Sequence, residues 1–115
     1  MGKKNILACV TVFLFLIGSA SAHPPSAIRL SYDATQRMLQ IVVMHDTKKP
    51  AEHYIKTVLV ELNKKKILEQ AFSKQSDPEK RTAAYILEDV QSGDVIAVTG
   101  VCNVFGKKTE ILKLQ

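Results

Sequence analysis

The chain has 115 residues, of which 46% are hydrophobic and 23% are charged, and its formal net charge at pH 7 is +5. That length suits a single domain with one hydrophobic core. The basic residues are scattered beside predicted turns and do not form one face with interleaved aromatic residues, which argues against nucleic acid as a partner.

The first 22 residues have the pattern of a secretory signal peptide. Two lysines precede an almost wholly apolar run at 6–17, and residues 20–22 read Ala-Ser-Ala, which suits a signal peptidase. The apolar run is shorter than the roughly 20 residues that a transmembrane helix needs. We therefore predict cleavage after Ala22, export to the periplasm, no stable insertion in the membrane, and one mature domain at 23–115.

Cleavage would leave a single cysteine in the mature chain. Cys9 belongs to the signal peptide, so only Cys102 remains and no intramolecular disulfide can form. A lone thiol in an oxidising compartment is typically buried or bound to a metal.

The mature chain reads as a succession of short strands. After a stiff His-Pro-Pro start, alternating residues at 28–32 predict a half-buried strand, and the apolar run at 38–44 predicts an interior strand. A polar loop at 45–53 leads to a third strand at 54–62. Turn signals separate four more predicted strands, at 66–75, 82–88, 95–103 and 110–114. Seven strands at even spacing predict an all-β protein, a small antiparallel sandwich or barrel.

The side chains suited to metal coordination lie in few places. His45 and His53 stand at the two ends of the polar loop, Cys102 lies near the end of the sixth predicted strand, and His23 begins the mature chain. Imidazoles with one thiolate suit iron, zinc or copper, and not calcium or magnesium. The alternative is that the histidines cap strands and the cysteine is a small buried hydrophobe. Nucleophilic catalysis by a Cys–His pair is less favoured, because the sequence places neither an orienting residue nor an oxyanion donor beside it.

Two motifs resemble a known family. Glu52-His53-Tyr54-Ile55, preceded by His45, and Cys102-Asn103-X-X-Gly106 further on resemble the iron-binding domain of desulfoferrodoxin-type superoxide reductases. The resemblance covers nearly all of 23–115. It implies an immunoglobulin-like antiparallel β-sandwich of about seven strands, with one iron held by equatorial histidines and an axial cysteine thiolate.

The resemblance assigns roles by position. His45 and His53 match the two middle histidines, Cys102 matches the axial thiolate, and His23-Pro24-Pro25 has the form of the first histidine's motif. Glu52, at the rim of the site, is the predicted catalytic residue.

The chain also departs from the family pattern. The loop from His45 to His53 is longer than the usual spacing, Phe105 replaces the histidine of the last motif, and cleavage would leave no place for the family's catalytic lysine. If His23 is the N-terminus, its amine and ring together would offset the missing nitrogen, a chelation that copper favours.

Three functions stay open on the sequence. The resemblance implies an exported superoxide-reductase-like protein with mononuclear iron, whose partners would be superoxide or a small redox molecule. A non-catalytic periplasmic carrier of copper or iron, using His23, is the second. An interaction domain with a vestigial site is the third. Because Phe105 replaces one expected ligand, the sequence leaves open whether the protein is an enzyme. The oligomeric state also stays open, with a homodimer or a tetramer as possibilities.

Overall fold

The structure is a computed structural model that describes residues 23–115, so the predicted signal peptide at 1–22 lies outside the described residues. Within this range no helix is long and apolar enough to cross a membrane. The described residues form seven strands: β1 (Ala27–Asp33), β2 (Met38–Met44), β3 (Ile55–Leu62), β4 (Lys65–Ala71), β5 (Lys80–Ile86), β6 (Val95–Cys102) and β7 (Lys107–Lys113).

The strands pair in two antiparallel sheets. One sheet has the order β1-β2-β5, and the other has the order β4-β3-β6-β7. The sheets enclose a shared core, as in an immunoglobulin-like sandwich, with the fourth strand added to the sheet of the third, sixth and seventh. The predicted all-β, seven-stranded sandwich is therefore confirmed, and β2 is the interior strand that its apolar run predicted.

Six of the seven strands have bounds that differ from the predicted ones, mostly by one or two residues, and three of these bounds have a clear structural reason. The fourth strand ends at Ala71 and not at 75, because the chain leaves the sheet and Gln75 turns its side chain inward. The fifth begins at Lys80, since β2 continues to Met44 and pairs with Lys80. The seventh begins at Lys107, which pairs with Val101 directly after a tight hairpin.

Side chains of alternating positions on both sheets fill the core. Leu39 and Val43 of β2, Val58 of β3 and Val98 of β6 belong to one core cluster, and all four are fully buried. Gly100 lets the sheets approach closely, because a Cβ atom there would lie 3.0 Å from Cγ1 of Val43. The same packing brings the last residues of β6 against β2.

Several strand ends meet at one end of the sandwich. Met44, the last residue of β2, pairs with Ala27 at the start of β1. Ile55, the first residue of β3, pairs with Cys102, the last residue of β6. Loops attached to these ends are therefore neighbours, although the sequence separates them widely.

Candidate metal centre

Four predicted site residues lie at this end of the sandwich. His45 directly follows β2, His53 shortly precedes β3, Cys102 ends β6, and His23 precedes β1. One ring nitrogen of each of His45 and His53 and the Sγ atom of Cys102 lie within 4.8 Å of one another. Donors bound to one ion lie about 2.0–2.3 Å from it, so they are at most about 4.6 Å apart. The three side chains need only small adjustments to share an ion.

His23 lies beside the same cluster. Its ring centroid is 5.4 Å from that of His45 and 5.4 Å from that of His53, while the His45 and His53 centroids are 4.7 Å apart. The His23 ring is exposed, and its Nδ1 atom lies 3.1 Å from the carbonyl oxygen of Pro24. It lies on the solvent-exposed side of the cluster.

The cluster contains buried nitrogen atoms without partners. His45 is fully buried, Cys102 is buried and a free thiol, and His53 is half-buried. Among the described residues, the Nε2 atoms of His45 and His53 are buried and have no hydrogen-bond partner. Buried polar atoms in native proteins nearly always have a partner, so each exception calls for an explanation. A metal ion bound between the two rings would explain both unpartnered nitrogens.

Both imidazoles are electrically suited to bind a metal. Burial lowers the pKa of His45, the hydrogen bond to Gln75 opposes this, and the nearby His53 and His23 lower it further. Burial, followed by the nearby His23, lowers the pKa of His53. A pKa below the ordinary 6.5 keeps both rings neutral at pH 7, and the neutral ring is the form that coordinates a metal.

Asn103 ties the loop of His53 to the strand of Cys102. Its Oδ1 atom accepts a hydrogen bond from the Tyr54 N–H at 2.8 Å, and its Nδ2 atom donates to the Glu52 carbonyl at 2.9 Å. Its backbone N–H donates to the Tyr54 carbonyl at 2.9 Å. These bonds hold His53 and Cys102 at a fixed separation.

The polar loop that carries both histidines is well anchored despite its length. The backbone N–H groups of His45 and Thr47 donate to the carbonyls of Glu79 and Pro78 at 2.9 and 2.8 Å. The N–H of His53 donates to the carbonyl of Lys49 at 2.8 Å, which closes a turn inside the loop. The extra length is therefore accommodated by ordered turns.

Gly106 sets the position of His23. It has a positive φ of 85°, and a Cβ atom there would lie 2.6 Å from the Cβ of Pro24. Pro24 therefore packs directly on the glycine of the hairpin that follows Cys102. That contact brings the neighbouring His23 ring to the cluster.

Replacing Gly106 with alanine tests this contact. We expect Gly106→Ala to lower the free energy of unfolding by at least about 1–2 kcal/mol, because an L residue is strained at positive φ, and to weaken metal binding by displacing His23. Gly93→Ala is the matched control, since Gly93 has a φ of 90° but open space around it. Urea unfolding and metal titration of both variants check this. Equal metal affinity in the two variants would contradict the role given to Pro24.

A cleft of about 710 Å³ opens beside the cluster. Its lining includes two of the candidate ligands together with residues of both charges: His23, Asp46, Thr47, Lys48, Lys49, His53, Pro78 and Glu79.

Glu52, the predicted catalytic residue, is exposed on the polar loop, and its catalytic role stays a prediction. Phe105 is 61% exposed at the hairpin after Cys102, so an apolar ring in solvent stands where the resemblance expects a histidine.

The contact of Gln75 with the candidate site was not predicted from the sequence. This side chain is 1% exposed and lies 3.0 Å from Nδ1 of His45, measured from its Oε1 atom. It fell inside the predicted fourth strand, and a single glutamine there carries no local signal of a contact with the loop after β2.

Comparison with models of protein families gives no match, and comparison with curated proteins gives none either. Among solved structures, the chain is similar to the superoxide reductase (1Fe-SOR) from Giardia intestinalis, with a TM-score of 0.61 and 15% sequence identity. The alignment covers 83% of this chain and 100% of that chain. At this identity the likeness shows a shared fold.

Proposed function

We propose that this end of the sandwich binds one iron ion and that the protein is an exported, superoxide-reductase-like metalloprotein. The proposed donors are His23, His45, His53 and Cys102. The observation that carries the proposal is the pair of buried, unpartnered Nε2 atoms beside a buried thiol. An unsatisfied buried polar group costs about 1–3 kcal/mol, and coordination removes that cost for both rings.

The donor set favours a transition metal. Imidazole nitrogens with a thiolate suit iron, zinc and copper, and iron is the choice that agrees with the superoxide reductase of the same fold. If bound by these residues, ferrous iron would supply one electron, which together with two protons from solvent converts superoxide to hydrogen peroxide. The Val104 nitrogen lies 3.4 Å from Sγ of Cys102 and donates its N–H to it, which helps to orient this proposed ligand.

The cleft gives a small molecule a route to the cluster. It passes His23 and His53, and its lysines Lys48 and Lys49 are balanced by the carboxylates Asp46 and Glu79. Superoxide or a small redox molecule is the proposed partner. Glu52 is proposed to act at the rim, from the solvent side.

A non-catalytic carrier of copper or iron is the second candidate. The exposed Phe105 leaves the donor set one nitrogen short of the pattern that the resemblance implies. The exposed His23 is the first residue of the predicted mature chain, where a free amine would add a nitrogen that copper favours. Incomplete, accessible coordination suits a protein that takes up and releases its metal.

A superoxide assay on iron-loaded protein separates the two candidates. The metal-free protein is loaded with ferrous iron, and the decay of a superoxide pulse is followed together with the oxidation of the iron. A reductase removes superoxide with one iron oxidised per superoxide consumed and without release of dioxygen. Iron that binds but does not react with superoxide would contradict the reductase and favour the carrier.

A further inference from the structure

Gln75 connects the segments that build the metal site. Its Oε1 atom accepts a hydrogen bond from the Ile55 N–H at 3.1 Å, and its Nε2 atom donates to the carbonyls of His45 and Asp77 at 2.7 and 2.9 Å. Its own backbone N–H donates to the Pro50 carbonyl at 3.0 Å. The side chain thus lies between the end of β2, the start of β3 and the polar loop.

The backbone partners fix the orientation of this amide. The two carbonyl oxygens only accept hydrogen bonds, so the amide group facing them must be the NH₂ group. The Ile55 N–H only donates, so the amide atom facing it must be the oxygen. Rotating the amide by half a turn would lose all three bonds, and the Oε1 atom of Gln75 therefore faces Nδ1 of His45.

That orientation determines which nitrogen of His45 carries the proton. Oε1 can only accept, and Nδ1 of His45 lies 3.0 Å from it, so Nδ1 is the protonated nitrogen. A neutral imidazole has one N–H, which leaves the lone pair on Nε2. This Nε2 atom is buried and has no partner among the described residues.

We propose that Gln75 is a positioning residue that holds His45 in the Nδ1–H tautomer and presents its Nε2 lone pair to the metal. The effect of Gln75 on metal binding rests on the proposed function, whereas its control of the His45 tautomer does not. A hydrogen bond to the second ring nitrogen is the usual support of a metal-bound histidine. Here an amide held by three backbone groups provides that support.

The tautomer is measured directly in metal-free, nitrogen-15-labelled protein. A long-range proton–nitrogen correlation spectrum distinguishes protonated from unprotonated ring nitrogens at a pH well above about 6.5, the ordinary histidine pKa. The signals of His45 are identified by their loss in His45→Gln. We expect a protonated Nδ1 and an unprotonated Nε2 in the unmodified chain.

Three variants separate positioning from a general structural role. Gln75→Leu removes the acceptor, so the Nε2–H form should appear and the affinity for ferrous iron should fall about 10–100-fold. Gln75→Glu loses the donated bonds but keeps an oxygen acceptor, so it should retain the Nδ1–H form even if the fold is less stable. Asn103→Ala is the matched control, since Asn103 bonds to backbone groups of the same site and should leave the tautomer unchanged.

A protonated Nε2 in the unmodified chain would overturn the inference, as would an unchanged tautomer in folded Gln75→Leu. If Gln75→Leu does not fold, the tautomer in the unmodified chain and in Gln75→Glu still tests the inference. Loss of the Nδ1–H form in Gln75→Glu would contradict the role of Gln75 as the acceptor. A chain with the expected tautomer that binds no ferrous iron would support the control of the tautomer and refute the proposed function.

Discussion

Replacing Cys102 with serine is expected to abolish the visible thiolate absorption of the iron-loaded protein and to lower its iron affinity more than about 100-fold. Loss of a group that only supports a ligand costs about 10–100-fold, and Cys102 is a proposed ligand itself. A serine hydroxyl is a hard, protonated donor at neutral pH and binds iron far more weakly than a thiolate. Iron titration followed by visible absorption measures both effects.

The fold should survive this change. Serine has nearly the size of cysteine and keeps an acceptor for the Val104 N–H, so thermal unfolding of the metal-free variant should be close to that of the unmodified chain. Val104→Ser is the matched control, because Val104 is an exposed neighbour and offers no ligand. A folded Cys102→Ser protein that keeps the absorption would show that the thiolate is not bound.

Replacing Ile55 with alanine is expected to lower the free energy of unfolding by about 2–5 kcal/mol. Ile55 is fully buried, pairs with Cys102, and donates its N–H to Gln75. The expected loss is a large part of the roughly 5–15 kcal/mol that stabilises a domain. Urea unfolding of the metal-free protein measures it.

The neighbouring position provides the control for this prediction. Lys56 is exposed on the same strand, so Lys56→Ala should change the free energy of unfolding by no more than about 0.5 kcal/mol. Ile55→Val should lower the free energy of unfolding by about 0.5–1.5 kcal/mol, a loss between those of Lys56→Ala and Ile55→Ala. A cost below about 1 kcal/mol for Ile55→Ala would mean that this side chain does not hold the two sheets together at the metal end.

The sequence predicted the fold because strand patterns are local. The continuous apolar run at Met38–Met44 predicted an interior strand, and β2 lies between β1 and β5. Strand ends were less predictable, since they depend on the partner strand. The predicted strand at 66–75 ran too far because the inward turn of Gln75 is fixed by residues 20 and 30 positions away.

The clustering of three candidate donors was predictable from the sequence, and the contacts that position them were not. Histidine and cysteine attract attention by their chemistry, and the structure brings His45, His53 and Cys102 together as the motifs implied. The supporting contacts of Gln75 and of Pro24 on Gly106 depend on the packing of distant segments. A glutamine or a proline has no pattern in the sequence that identifies such a role.

The exposed Phe105 remains the main difference from the donor pattern of the resemblance. An apolar residue in solvent, 61% exposed, at the hairpin beside the site contributes no nitrogen. The proposed site would therefore depend more heavily on His23, whose position in turn depends on the packing of Pro24 on Gly106. This dependence is why the identity of the first mature residue bears on the choice between a reductase and a carrier.

The proposed iron site is tested most directly by the metal content and visible spectrum of the protein that is expressed from the full 115-residue sequence and purified with the N-terminus that results. We expect one iron ion per chain and a thiolate charge-transfer band in the oxidised form, with histidine at the N-terminus. A protein that contains no metal and takes up neither iron nor copper on reconstitution would contradict this expectation. The histidine cluster would then have no coordinating role.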